Sequence, residues 1–371
     1  MKKIPISNIV LNGNELKYVT EAVKSTWISS IGKFISQFES MFSEYCSTKY
    51  AVSSSNGTTA IHLAIESLNI GKGDEVIVPS LTFAATANAV LHSGATPVFV
   101  DCLKNHWNID PEKIALAITS KTKAILVVHL HGHPCDMLSI MKIAKKYKLF
   151  VIEDCAESTG AIVDGKKVGS IGDIGCFSFF GNKIMTTGEG GMCTTNDPAI
   201  NEKMRILRDH GMDKSKRYWH NVVGYNYRMT NLSAALGVAQ MEQLEEFLNK
   251  RQMLKSLYDK YINFNSNFLK PIKAPQGKEV DWFYNLNLSS DSKISRDKLI
   301  NELSKVGIDT RPFFYPLHLM PPFKIYNKIE ADFSYAESFG KNGLYLPLYP
   351  SLLEEEVQLI SEEINKIASE F

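Results

Sequence analysis

Lys183 is the residue in this sequence best placed for covalent chemistry. It follows Ser178-Phe179-Phe180-Gly181-Asn182 and precedes Thr186-Thr187-Gly188-Glu189-Gly190-Gly191. That places it between two apolar, strand-like runs, where partial desolvation lowers the pKa of an ammonium and frees the amine as a nucleophile. Most lysines are solvated surface charges, so the setting carries this reading rather than the residue type. Asp154 closes the apolar run Leu149–Ile152, at the carboxyl end of a candidate parallel strand, where such sheets bind ligands. A carboxylate there either caps a helix or meets a cation. Asn56-Gly57-Thr58-Thr59 lies between a strand and a helix start. Glycine allows close approach, and hydroxyls with helix N-terminal N–H groups can hold a phosphate, although Asn and Thr could equally be N-caps. The glycines after Lys183 suit either a turn beside a ligand or an ordinary hairpin. Taken together, the three features specify a ligand with a basic ring nitrogen, an aldehyde and a phosphate, which describes pyridoxal 5′-phosphate (PLP).

These residues need a scaffold that brings strand ends together. Short Val/Ile-rich runs at Tyr50–Ser53, Glu75–Pro79, Pro97–Asp101, Ala124–His129 and Leu149–Asp154 alternate with helical periods at Thr58–Leu68, Thr86–His92 and Leu138–Tyr147. That rhythm predicts an α/β fold with a mostly parallel sheet covered on both faces. Phe177–Phe180 and Gly191–Thr195 then suggest a hairpin-like excursion at the sheet. A long helical pattern from Ser233 to Tyr261 leads out of this unit. Beyond it, strand-like Trp282–Leu288 and helices at Arg296–Val306 and Glu354–Ala368 fit a smaller α+β unit. The expected domains are 1–245, which would carry the PLP site, and 246–371.

Composition narrows the possibilities further. Charge is nearly balanced, 41 Lys+Arg against 40 Asp+Glu, so no broad basic field is available for nucleic acid or anionic lipid. The six cysteines, Cys46, Cys102, Cys135, Cys155, Cys176 and Cys193, include no CxxC pair and read as small buried hydrophobes of a reduced, cytoplasmic protein. The N-terminal run is broken by Pro5, Ser7 and Asn8 and reads as part of the fold rather than as a signal peptide. No run is long and apolar enough to suggest a bilayer span.

The chain resembles the DegT/DnrJ/EryC1/StrS sugar-nucleotide aminotransferases, a family of fold-type-I PLP enzymes, over nearly its whole length. The resemblance is carried by Gly73-Asp74-Glu75-Val76-Ile77-Val78-Pro79, Val151-Ile152-Glu153-Asp154-Cys155-Ala156-Glu157, Phe177-Ser178-Phe179-Phe180-Gly181-Asn182-Lys183, Thr187-Gly188-Glu189-Gly190-Gly191, Tyr225-Asn226-Tyr227-Arg228-Met229-Thr230-Asn231 and Arg311-Pro312-Phe313-Phe314-Tyr315-Pro316. Within the family it is most similar to 4-aminotransferases that act on nucleotide-linked 4-keto-6-deoxyhexoses. The cues are Trp27-Ile28-Ser29-Ser30, Gly132-His133-Pro134-Cys135-Asp136 and Arg217-Tyr218-Trp219-His220.

The resemblance implies that Lys183 binds PLP covalently and acts as general base and acid, with Asp154 on the pyridine nitrogen. It makes Phe83 the stacking aromatic, and Gly57, Thr58 and Ser178 the phosphate ligands. Asn226 would reach into the partner's site, so the working unit would be a homodimer. Glu157 would stand beside the cofactor, where relatives often have Gln or His. Trp27, Ser30, Glu189, Arg217, Tyr315 and His318 become candidates for the nucleotide sugar, with His318 equally readable as a structural histidine. The implied amino donor is L-glutamate, and the product would feed surface-polysaccharide synthesis. Lysine at 183 favours transamination, because a dehydratase branch of the family carries histidine there. GDP or dTDP, the hexose configuration, and C4 or C3 as the aminated carbon stay open.

Two rival readings come from other classes. His129, His131 and His133, at alternate positions, could present three imidazoles to a zinc ion in a hydrolase, although Gly132-His133-Pro134 reads as a turn. A nicotinamide enzyme would need a GxGxxG after an early strand, and the chain has none.

Overall fold

Alternate side chains along the central β-branched runs go to opposite apolar layers, which is what a sheet buried on both faces requires. Val76, Val78, Leu126 and Val128 join one cluster, whereas Ile77, Ile125, Val127 and Val151 join another. The computed structural model describes residues 3–213, 215–327 and 331–370. Its main sheet has seven strands in the order Tyr50–Ser54, Gly191–Thr195, Ile174–Ser178, Phe150–Asp154, Thr122–Val128, Glu75–Pro79 and Thr96–Val100. Gly191–Thr195 runs antiparallel to both neighbours, and the remaining pairs are parallel.

The expected hairpin excursion is therefore present, with its first strand at Ile174–Ser178 rather than Phe177–Phe180. The register Val128↔Asp154 brings two strand ends level, and Cys176↔Asp154 carries the end of Ile174–Ser178 two residues beyond them. All six cysteines are free and buried. Among the described residues, no helix is long and apolar enough to cross a membrane.

Helix Asn231–Tyr261 is capped by the Thr230 hydroxyl, which accepts from Ser233 N–H. Its first half packs in the sheet-side cluster through Ala234, Ala235 and Val238. Its second half, through Leu254 and Tyr258, enters a third cluster with Leu286, Leu346 and Ile360. That cluster covers a three-stranded antiparallel sheet, Tyr284–Asn287, Gly343–Leu346 and Arg311–Pro312. We propose dividing the chain within this helix, into 1–245 and 246–371. Ile4 crosses that division. It bridges to Ile308, donates to the Gly307 carbonyl at 2.9 Å and packs in the third cluster.

Candidate active site

The carboxyl ends of the parallel strands open on a cavity of about 640 Å³. Gly57, Thr58, Phe83, Asp154, Glu157, Ser178, Lys183 and Glu189 all line it, so the structure brings together eight of the residues singled out in the sequence. Gly57 opens helix Gly57–Ser67, whose N-cap Asn56 accepts from Thr59 N–H while the Thr59 hydroxyl accepts from Asn56 N–H. Asn56 and Thr59 are thus caps, and all four residues from Asn56 to Thr59 line the cavity. A Cβ on Gly57 would lie 2.6 Å from the Ser178 Cβ, so only glycine lets this helix start approach the strand end so closely.

Lys183 lies in the tight link between Ile174–Ser178 and Gly191–Thr195. Thr187 N–H donates to the Phe179 carbonyl, and Gly188 adopts φ +80°. Lys183 Nζ is 3.6 Å from Glu157 Oε1 and 4.0 Å from the centre of the Trp282 ring. Burial lowers the pKa of the amine, and Glu157 and Asp154 only partly oppose this.

The two acids respond to the cavity in opposite directions. Burial raises Asp154, whose hydrogen-bond donors, Ala156 N–H at 3.1 Å and the Thr86 hydroxyl at 2.9 Å, are both uncharged. Burial also pushes Glu157 upward, but the Lys183 ammonium and the His131 side chain outweigh it and hold the acid below its ordinary value. Such divergence between neighbouring carboxylates marks acid/base sites.

The other candidates stand elsewhere. Trp27 is exposed, and its carbonyl accepts from Asn231 Nδ2. Ser30 is half-buried, and Arg217 and Asn226 are exposed; none of these four lines the cavity. Tyr315 lines an adjoining hollow that shares Phe83, Asn182 and Trp282 with the main one. His318 is buried beside a separate depression, with Nδ1 2.6 Å from Ser80 Oγ, Nε2 3.1 Å from Glu337 and its ring stacked on Phe333. The zinc-site reading is corrected by the divergence of its three imidazoles. His129 bonds Glu153, His131 meets Tyr345, and His133 meets Asp281. His131 adopts φ +60° in a turn, so the three do not alternate along a strand. Thr86, Trp282, Phe314 and Tyr227 also belong to this site but were not singled out as site residues in the sequence. Thr86 left a signal, one helical turn from Thr82 after a strand end, and Tyr227 and Phe314 stand within the quoted family motifs.

A buried acid paired only with neutral donors can receive a pyridinium N–H. A glycine helix start beside Ser178 can receive a phosphate, and a desolvated amine can receive an aldehyde. The residues therefore fit PLP, and fold and site together define a PLP-dependent aminotransferase of fold type I. The model of the DegT/DnrJ/EryC1/StrS aminotransferase family matches residues 10–365, and the chain belongs to that family. It is 46% identical to a GDP-perosamine synthase of Caulobacter vibrioides, covering 99% of each chain. It is 45% identical to a GDP-perosamine synthase of Escherichia coli O157:H7, covering 100% of each. The solved PLP form of Spr1654 from Streptococcus pneumoniae superposes with TM-score 0.93 at 29% identity, covering 100% of this chain and 99% of that one.

Proposed function

We propose that the protein transfers an amino group from L-glutamate to C4 of a nucleotide-linked 4-keto-6-deoxyhexose, with GDP-4-keto-6-deoxymannose the favoured acceptor and dTDP-4-keto-6-deoxyglucose the alternative. The product is a 4-amino-4,6-dideoxyhexose nucleotide of the perosamine or viosamine type, destined for O-antigen or other surface polysaccharide. The observation that carries this reading is Lys183, with its lowered pKa, facing Glu157 inside a chain 46% identical to a GDP-perosamine synthase over 99% of its length.

Bound PLP supplies an electron sink that stabilises negative charge on the carbon losing its proton. The protein's residues do the rest. Gly57, Thr58 and Ser178 hold the phosphate, and Phe83 covers the ring. Asp154 keeps the ring nitrogen protonated. Lys183 would take a proton from the donor carbon and, in the half-reaction with the keto sugar, deliver a proton to the carbon that gains the amino group. Glu157 orients that amine, and Trp282 screens it from water. The donor product leaves before the keto sugar enters, so the kinetics are ping-pong.

Trp27, Ser30, Glu189, Arg217, Tyr315 and His318 are proposed for the sugar nucleotide. The exposed Asn226, lying off this chain's own cavity, supports a site completed by a second copy and hence a homodimer, and the six free, buried cysteines suit a cytoplasmic protein. The test is kcat/KM with glutamate, PLP and each nucleotide sugar in turn. Amination of the GDP sugar is expected to dominate. Turnover confined to a 3-keto sugar would reject the proposed regiochemistry.

A further inference from the structure

We propose that Tyr345 and His131 are positioning residues for the Lys183 amine, acting through Glu157. Glu157 divides its oxygens. Oε1 faces Lys183 at 3.6 Å, while Oε2 accepts the His131 backbone N–H at 2.8 Å and lies 3.6 Å from His131 Nδ1. Nδ1 in turn lies 2.9 Å from the Tyr345 hydroxyl. Tyr345 comes from strand Gly343–Leu346 in the C-terminal unit, so a contact made there reaches the amine through two side chains.

The cost of this arrangement argues that it is more than packing. His131 is a non-glycine residue at φ +60°, and its buried Nε2 has no hydrogen-bond partner among the described residues. Positive φ and an unpaired buried nitrogen each lower stability. An apolar side chain would remove the second cost, so the ring earns its place through the Nδ1 edge.

The turn is also clamped from outside. Trp282 N–H donates to the His131 carbonyl at 3.1 Å and Val280 N–H to the Gly132 carbonyl at 3.1 Å. Gly132, at φ +90°, is needed because a Cβ there would lie 2.9 Å from Asp281 N. The titratable groups facing Lys183 are Glu157, Asp154 and His131. His131 faces Glu157, His133 and Lys183 besides Tyr345. Burial lowers the pKa of the His131 imidazole, which Glu157 partly opposes, and raises that of the Tyr345 phenol.

The inference rests on Lys183 as the reactive amine, and the experiment separates the two. In cofactor-free protein, competitive acetylation read by mass spectrometry gives the pH midpoint for Lys183. Because Glu157 raises the pKa of that amine against the effect of burial, the midpoint is expected to fall in Glu157→Gln and to fall less, in the same direction, in Tyr345→Phe. With PLP bound, Tyr345→Phe should lower kcat on the order of 10-fold, the size typical of losing a second hydrogen bond behind a reactive group, with KM for glutamate little changed. His131→Asn, whose amide can stand at the Nδ1 position and tolerates positive φ, should recover activity that His131→Ala loses. If Lys183 shows the reactivity of an ordinary surface lysine in wild type, the assignment of the reactive amine is wrong. If Lys183 and Glu157→Gln behave as expected but Tyr345→Phe tracks wild type in midpoint and kcat, the positioning role is rejected and the assignment stands. Equal loss in His131→Asn and His131→Ala would likewise reject it.

Discussion

On the sheet side of the cavity, Gly57, Asp154 and Ser178 stand where parallel strands end or helices begin, so the backbone itself puts them there. On the opposite side, Trp282 and Phe314 come from the C-terminal unit, with Tyr345 of the same unit behind them, and they meet Lys183 and His131 through tertiary contacts rather than through the order of the strands. Strand ends leave little freedom in where a residue can lie. An aromatic wall depends instead on how two cores dock. The difference teaches that the first wall supplies chemical groups, whereas the second sets their environment.

Lys183→Ala would break the comparison at its centre. Removing the general acid/base should cost up to about 10⁴-fold in kcat, measured with glutamate and the favoured nucleotide sugar. Asp154→Asn tests the sheet wall. It removes one fixed charge and should cost on the order of 10²–10³-fold in kcat. Gly57→Ala forces a methyl against Ser178 Cβ, which would sit 2.6 Å away, and should cost roughly 1–3 kcal/mol in urea unfolding together with weaker PLP retention. Trp282→Leu probes the opposite wall. It deprives the Asn182 carbonyl of its 2.7 Å partner and should cost about 1–3 kcal/mol while leaving PLP retention nearly intact. If both substitutions weakened PLP equally, the division between the walls would fail.

The smallest effect is in pH. Burial raises Asp154, so the folded cofactor-free protein binds that proton more tightly than the unfolded chain. Stability should therefore fall as pH climbs from the ordinary carboxylate value through the raised one. Glu157 is lowered, so its contribution is present above the ordinary value and fades as pH drops through the depressed one. Urea titrations of cofactor-free protein should show Asp154→Asn more stable than wild type at pH 7, and PLP should stabilise wild type more than the variant. A variant less stable than wild type at that pH would mean that the acid is already paired with a cation.

The mostly parallel sheet was legible because β-branched runs and helical periods alternate, and Asp154, Lys183 and Gly57 because their neighbours mark strand ends and a helix start. Helices Glu15–Lys24 and Lys33–Cys46, ahead of the first strand, and Pro198–Arg208, after the hairpin, were missed. His131 shows the limit most clearly. Its spacing from His129 and His133 suggests a metal ligand, yet its positive φ turns the ring toward Tyr345, 214 residues away. His318 likewise offers an imidazole whose two nitrogens are engaged, one by Ser80 from a distant part of the chain and the other by Glu337.

Local pattern and the two-residue period of a strand are enough to say which groups stand at the strand ends. How those groups ionise depends on contacts made only in the folded chain. The burial, the partners of Glu157 and the indole over Lys183 come from segments that meet only when the two cores pack.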